Sequence, residues 1–428
     1  MTVAARIDAL VTPRRLLIYP ALFIVVGLLL ELVPAFTPPI GKSLGATDFM
    51  GHWLAGNWLV SGHTWPLFDV ATQRAITQQM FGPDHWHLFD SPPFDAVLYA
   101  PLGLLPAIPA DGLWTVFSLI LLGLAAWLLR PLLPGFSPAR WRIALVVCAA
   151  SYPLLSLIWT GQDSAVSLLL WIAGIRLALA RRDGWAGAVF ALGLFKPQLF
   201  WLPPLVFLAQ RRYRACVAWL VVSAAIAGGW AAAFGADSYV QWFRLLTSPI
   251  TLSSAQTGMA WDMQSLPAFL QTLGPSQFAE PLELAGLLLA LAVLAALFVT
   301  HQRQRQPDGL SLWCSALLLT LLVSPHLLVY DLMLALPVAL ILLDRCNSRQ
   351  LRLTLLSFFF LTWSLPLRHV LVSHATWPLT VLGDSWGAVP LLLLFWLNSN
   401  YGIARRGVRR TSAVAQPIPL VAAGTNPT

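Results

Sequence analysis

The first residue placed to do chemistry is Asp48, which lies about fifteen residues beyond the first long apolar run, in GATDFMGHWLAGNWLVSG. The stretch predicts a juxtamembrane helix. The Asp48 carboxylate can cap that helix, as Asp commonly does, or act as a general base facing a cavity at the membrane surface. Spacing leaves both uses open. Asp90 and Asp95 bracket SPPF, and carboxylates across a Pro–Pro turn read as turn and cap residues before they read as an acid/base pair. His85 and His87 with Asp84 or Asp90 would make a crowded metal site on an exposed loop, so they read as solvated loop residues. Three polar patterns stand at the outer ends of apolar runs: WTGQDS with Gln162 and Asp163, FKPQ with Lys196 and Gln198, and SPHLLVYD with His326 and Asp331. Each has the default reading of a polar interfacial turn. Lys196, however, is an isolated cation in the break of an apolar run. An ammonium there wants an anion, and a lipid phosphate is the obvious one, with Gln162 a further polar candidate beside it. His326 can donate to the same phosphate, donate to a sugar hydroxyl, or serve as a structural histidine.

The elements that must hold these groups are membrane helices. The chain has 428 residues, 58% of them hydrophobic and 10% charged. A soluble domain has about 45–50% apolar and about 25% charged residues. Disorder is excluded by the 20 Trp and 22 Phe. At roughly 20 apolar residues per crossing there is room for about ten to thirteen spans. Apolar runs occupy 16–33, 112–129, 143–159, 163–180, 185–209, 215–234, 281–300, 309–325, 329–343, 353–368 and 385–402. Lys196–Pro197 breaks 185–209 into two short helices meeting near the outer face, which predicts an all-α bundle of about twelve crossings. The short, Pro-rich piece 96–109 is expected to be re-entrant or interfacial.

Charge sets the orientation. Of the 26 cations, 21 fall in segments that this topology places in the cytoplasm, leaving Lys42, Arg74, Lys196, Arg244 and Arg368 outside. Both termini are then cytoplasmic. Residues 1–410 form one transmembrane domain, with outer loops 34–111 and 235–280 making the active face and 411–428 a disordered tail. Trp density in the outer loops predicts interfacial helices. The net charge of +8 does not indicate nucleic acid, because the cations form small clusters between apolar runs, facing the anionic inner leaflet. Cys148, Cys216, Cys314 and Cys346 have no metal-ligand spacing and imply no disulfide framework. Arg14–Arg15 precede the first run without a small-residue cleavage site after it, so that run is read as a retained span. Only Lys42 and Lys196 are lysines, a bias that fits a GC-rich bacterial genome and hence an inner membrane.

Several fragments in order then resemble a known family. They are TDF around Asp48, SGHTWPLFD, DSPPFDAVLYAPLGLLP, TGQDS, ALGLFKPQLFWLPPLVFLAQRR, MQSLPAFLQTLG and SPHLLVYDLMLALP. Together they resemble the C superfamily of polytopic glycosyltransferases, and within it family 87, whose best-known members are bacterial alpha-1,2-mannosyltransferases using polyprenyl-phosphate mannose. There are departures. Phe68 stands where Tyr is usual, Phe94 follows the Pro pair, and Trp261–Asp262–Met263 replaces an Asn-rich lead-in.

The resemblance implies that Asp48 is the catalytic base of an inverting displacement at the outer face. It implies a polyprenyl-phosphate sugar donor, a glycolipid or polysaccharide acceptor, membrane lipids as surroundings and no nucleic acid. No nucleotide cofactor is implied, and often no metal. Lys196 and His326 would stabilise the leaving phosphate, with Arg368 and His369 as further candidates. Gln264 and Ser265 would line a sugar, and Trp53 or Trp65 could stack on one. The competing reading is a transporter or flippase of a polyprenyl-linked sugar. The missing internal repeat and the one-sided aromatic, acidic loops speak against it.

Overall fold

The computed structural model describes residues 12–36, 47–62, 66–83, 88–248, 260–278, 281–289, 291–292, 309–346, 348–384 and 386–400. Among them the chain is helical throughout, apart from one isolated antiparallel bridge between Met263 and Leu328. The N-terminal helices are α1 (Arg15–Phe36), α2 (Phe49–Ser61), α3 (Val70–Phe81) and α4 (Ala96–Gly103). The middle of the chain forms α5 (Ala107–Leu129), α6 (Pro138–Ala149), α7 (Tyr152–Thr160), α8 (Ser164–Leu179), α9 (Asp183–Phe195) and α10 (Pro197–Ala209). There follow α11 (Tyr213–Phe234), α12 (Asp237–Leu246), α13 (Leu266–Thr272), α14 (Gly309–Val323), α15 (Leu336–Arg345), α16 (Arg349–Trp363), α17 (Leu365–Val372) and α18 (Ala388–Asn400).

Two described helices, α5 with its 3-10 extension and α11, are long and apolar enough to cross a membrane. The count rises to four if the bent pairs α6–α7 (53°) and α16–α17 (50°) are each one span. Pro153 and Pro366 lie in the first turn after each bend, where the missing N–H and the ring's clash with the preceding turn break a helix. The remaining apolar helices α8, α9, α10, α14 and α18 are shorter, so the figure of about twelve crossings is not established by helix length. Residues 96–109 are not one helix: an eight-residue α4 ends before α5 begins at Ala107. The tail 411–428 lies outside the described residues.

The pattern of burial is that of a protein dissolved in lipid. On α14 nearly every side chain is buried, and the stretch Val329–Leu342 is buried on all sides, so these elements form the centre. Around them Trp171, Phe190, Phe207 and Trp313 interlock, with Phe190 stacked on Trp313 at 5.2 Å. On the periphery α5 exposes Leu113, Val116, Ile120 and Trp127, and α11 exposes Val217, Leu220 and Val221. In water such faces would be a liability; against acyl chains they are ordinary.

The two long stretches between the apolar runs, 34–111 and 235–280, pack together through their described residues. α12 keeps Leu245 buried with Tyr239 and Trp242 packed nearby, while Val240 and Phe243 are exposed, as an interfacial helix requires. The indole of Trp242 donates to the Asp90 carbonyl at 2.7 Å, tying α12 to the segment before α4.

Candidate active site

Helix α2 begins at Asp48, which sits in the N-cap position with helical dihedrals (φ −64°, ψ −24°) and makes no capping hydrogen bond with its side chain. The capping reading of Asp48 is therefore not realised. The half-buried carboxylate turns to the neighbouring helix pair, where Gln162 Nε2 donates to Asp48 Oδ2 at 2.7 Å.

Gln162 reaches Asp48 because of how α7 ends. Gly161 takes the left-handed conformation (φ +67°), and the amides of Gly161 and Gln162 close the helix on the carbonyls of Ile158 and Leu157. A Cβ at Gly161 would lie 2.6 Å from Phe49 Cβ, so only glycine lets this turn approach the first residue of α2. The Trp114 indole fixes the turn further by donating to the Gly161 carbonyl at 2.8 Å.

Behind Gln162 lies a buried polar network. Pro197 disfavours helical backbone for the residue before it, and Lys196 accordingly sits between helices at φ −117°, ψ +75°. Its ammonium lies 2.7 Å from Asp163 Oδ1 and 3.1 Å from Asp331 Oδ1. It also donates to Ser164 Oγ at 3.0 Å and Gln162 Oε1 at 3.4 Å, and it lies 5.1 Å from the centre of the Tyr330 ring. The Ser164 hydroxyl donates in turn to Asp331 Oδ1. Lys196, Gln162, Asp163, Ser164 and Asp331 are all buried. The expectation of an isolated Lys196 ammonium awaiting a lipid phosphate is thus corrected: its partners are protein carboxylates. Its site, and that of Gln162, is a hub linking three stretches of chain to Asp48.

Asp95, expected as a turn or cap residue, sits at the N-cap position of α4, but its side chain makes no capping hydrogen bond. It is buried beneath α2, and His52, one helical turn beyond Asp48, brings Nδ1 to 3.1 Å from Asp95 Oδ2. Burial raises the Asp95 pKa against the lowering effect of His52. For His52 burial alone would lower the pKa, but the hydrogen bond and charge of Asp95 prevail and raise it. Asp262 is pushed up to about 7 by burial, with the charges of Asp48 and Asp331 adding to the effect. It is thereby placed within electrostatic reach of the site.

The remaining candidates have separate positions. His326 is half-buried in the turn before Leu327, whose carbonyl accepts from the Gln264 amide at 2.7 Å. The Gln264 side chain donates to the Asp262 carbonyl at 3.1 Å and accepts from the Gly387 amide at 3.0 Å. Ser265 Oγ caps α13 by accepting from Ala268 N at 3.4 Å. Both therefore hold backbone in place, a structural use not expected of residues proposed to line a sugar. Arg368 donates to Ser364 Oγ and to the carbonyls of Leu361, Leu382 and Asp384, beside an apolar cavity of about 410 Å³ lined by Leu361, Leu371, Val372, Leu382 and Trp386. His369 stacks on Trp261 with ring centres 4.3 Å apart. Trp53 is buried, its indole donating to the Leu105 carbonyl at 3.1 Å, so its role is packing. Trp65, Asp84, His85 and His87 lie outside the described residues.

The profile of glycosyltransferase family 87 matches residues 89–325, just over half of the chain. The chain belongs to glycosyltransferase family 87. Among curated proteins and among solved structures, none matches it. Membership of family 87 makes the protein a membrane glycosyltransferase with a sugar donor and an acceptor, and nothing supports the transporter alternative. The matched region of this family-87 enzyme takes in Asp95, Gln162, Asp163 and Lys196, while Asp48 and Asp331 flank it.

Proposed function

We propose that the enzyme transfers a hexose, mannose in the first instance, from a polyprenyl-phosphate sugar to an acceptor hydroxyl at the outer face of a bacterial inner membrane. Asp48 is the general base. The acceptor O–H gives its proton to Asp48 while its oxygen attacks the anomeric carbon. The bond from that carbon to the phosphate oxygen breaks on the opposite face, and polyprenyl phosphate leaves with the bonding pair. The observation that carries this reading is the placement of the Asp48 carboxylate: half-buried, free of any capping role and oriented by Gln162 at 2.7 Å.

In this reading Gln162 and Lys196 position the base, and His326 is the group left to meet the leaving phosphate, whose growing charge it stabilises. The Arg368 cavity, apolar with one guanidinium at its edge, suits the polyprenyl chain near its phosphate. The proposal includes about twelve crossings and cytoplasmic termini. The Arg clusters between the apolar runs support it.

The test is transfer of labelled mannose from polyprenyl-phosphate mannose to extracted membrane glycolipids by the purified enzyme. Asp48→Asn abolishes transfer while keeping the elution profile of the folded protein. Gln162→Leu removes the hydrogen bond donated to Asp48 Oδ2, and a lost hydrogen bond of this kind is worth about 1–3 kcal/mol, so kcat falls roughly 5- to 150-fold with KM for donor little changed. Full activity in Asp48→Asn rejects the assignment.

A further inference from the structure

Beneath α2 three metal-ligating side chains converge from three separate elements. His52 comes from the second turn of α2, Asp95 from the short turn before α4, and Asp163 from the turn before α8. One ligand atom from each lies within 4.8 Å of the other two. Their side chains are at least nine-tenths buried. Ligand atoms around one ion bound at about 2.0–2.2 Å lie roughly 3–4.4 Å apart, so the spread needs only a small contraction.

Two further observations point to a cation. Asp163 Oδ1 faces Lys196, but among the described residues Asp163 Oδ2 is buried without a hydrogen-bond partner, as is the Tyr99 hydroxyl, whose ring stacks on His52 at 4.6 Å. A buried carboxylate oxygen with no donor is costly, and cation coordination is one of the few ways to satisfy it. The charges are also out of balance. Asp95, Asp163 and Asp331 are buried together against one ammonium, Lys196, which Asp163 and Asp331 share. The buried carboxylates thus outnumber the cations among them whichever form His52 takes, and a bound cation offsets negative charge there.

The ligand ring is also fixed in advance. Tyr99 stacks on His52 with an interplanar angle of 17°, and Phe89 meets it edge-on at 5.9 Å. A donor set of one imidazole nitrogen and two carboxylates suits a divalent first-row ion such as Zn²⁺ or Mn²⁺.

We infer that His52, Asp95 and Asp163 form a site for one divalent transition-metal ion that joins α2 to the elements beneath it. The ion is structural and charge-balancing. It sits one helical turn from Asp48 and fixes the helix that carries it, and no reacting phosphate is assigned to it. Its occupancy is independent of substrate, so it stands or falls apart from the glycosyl-transfer reading.

The experiment uses the full chain, purified in detergent without chelator, loaded with Zn²⁺ or Mn²⁺, desalted and analysed for metal per chain by mass spectrometry. The expected result is about one ion per chain, a lower unfolding temperature after chelation, and its recovery on adding the ion back. His52→Gln reduces occupancy at least about fivefold, since one of three ligands is lost. Asp95→Asn, which keeps shape and an acceptor, is the second variant and should also lose the ion. A Co²⁺-loaded sample should show visible bands that change in either variant. Wild-type protein that holds no ion after loading and unfolds at the same temperature with and without chelator overturns the inference; a proton shared by His52 and Asp95 then takes the ion's place. Undiminished occupancy in a folded variant overturns it too, because the ion then lies elsewhere.

Discussion

Asp262 shows how one residue couples the site to pH. It is buried, and its Oδ1 has no hydrogen-bond partner among the described residues. Its carboxyl titrates near 7 in the folded chain because burial disfavours the ionised form and Asp48 and Asp331 add like charge. Unfolded, it titrates near the ordinary value of about 3.9. The folded state therefore binds more protons between these values, and stability falls as pH rises from about 4 to 7, then levels off. Each pKa unit of difference is worth about 1.4 kcal/mol, so Asp262→Asn should stabilise the protein at pH 8 by at least about 2 kcal/mol and have little effect at pH 4. Thermal unfolding of both proteins across this range checks it; equal curves at pH 8 would refute the assignment. Residues of this kind differ in how legible they are. Lys196 and Asp48 can be picked from the sequence because each is a lone charge in or beside an apolar run. What the sequence does not reveal is the partner. Lys196 reaches Asp163 and Asp331 only through the fold, so an ammonium that reads as waiting for a lipid phosphate is already paired. Asp95 is harder, because Ser91–Pro92–Pro93 around it looks like a turn, and its partner His52 lies 43 positions away.

At the scale of elements, α2 and α4 determine where Asp48 and Asp95 stand relative to each other. The two helices cross with backbone against backbone. A Cβ on Gly56 would lie 2.3 Å from the Tyr99 carbonyl oxygen, and one on Gly103 would lie 2.3 Å from the Asn57 amide nitrogen. Asn57 then donates across the crossing to the Gly103 carbonyl at 2.8 Å. Gly56→Ala forces α2 away from α4, since a backbone oxygen cannot swing aside as a side-chain tip can. Overpacking of this kind costs typically about 1–3 kcal/mol. The expected outcome is a lower unfolding temperature together with a loss of transfer activity larger than the stability loss explains, because the His52–Asp95 contact lengthens. Unfolding scans and kcat on the same preparations check both. At this scale the Pro-rich piece 96–109 is an eight-residue helix followed by the start of α5 at Ala107. The mid-run break at Lys196–Pro197 is likewise where the apolar stretch 183–209 divides. Helix ends and prolines are written locally, which is why they can be read; a glycine crossing between α2 and α4 is a property of two segments and cannot.

For the whole molecule the question is which face meets which side of the membrane. α5 is the clearest crossing, 26 residues with its extension, and lies between two exposed serines, Ser61 at the end of α2 and Ser137 before α6. α4 lies between them too, but eight helical residues extend only about 12 Å, less than half of a hydrocarbon core of about 30 Å. The proposed topology therefore expects one crossing between Ser61 and Ser137, with the two facing opposite compartments. The charges assign the compartments, because Arg130, Arg140 and Arg142 flank Ser137, and translocating such a cluster is disfavoured. Replacing Cys148, Cys216, Cys314 and Cys346 by Ala and adding Ser61→Cys or Ser137→Cys gives two reporters. In intact spheroplasts a membrane-impermeant maleimide should label the cysteine of Ser61→Cys and reach that of Ser137→Cys only after lysis. Labelling of both in intact cells would make 96–106 a second crossing or α5 a re-entrant hairpin. Labelling of Ser137→Cys alone would put Asp48 on the cytoplasmic side and overturn the outer-face active site. Asp48 precedes Ser61 on the same short helix, so the reporter reads the side on which the base works.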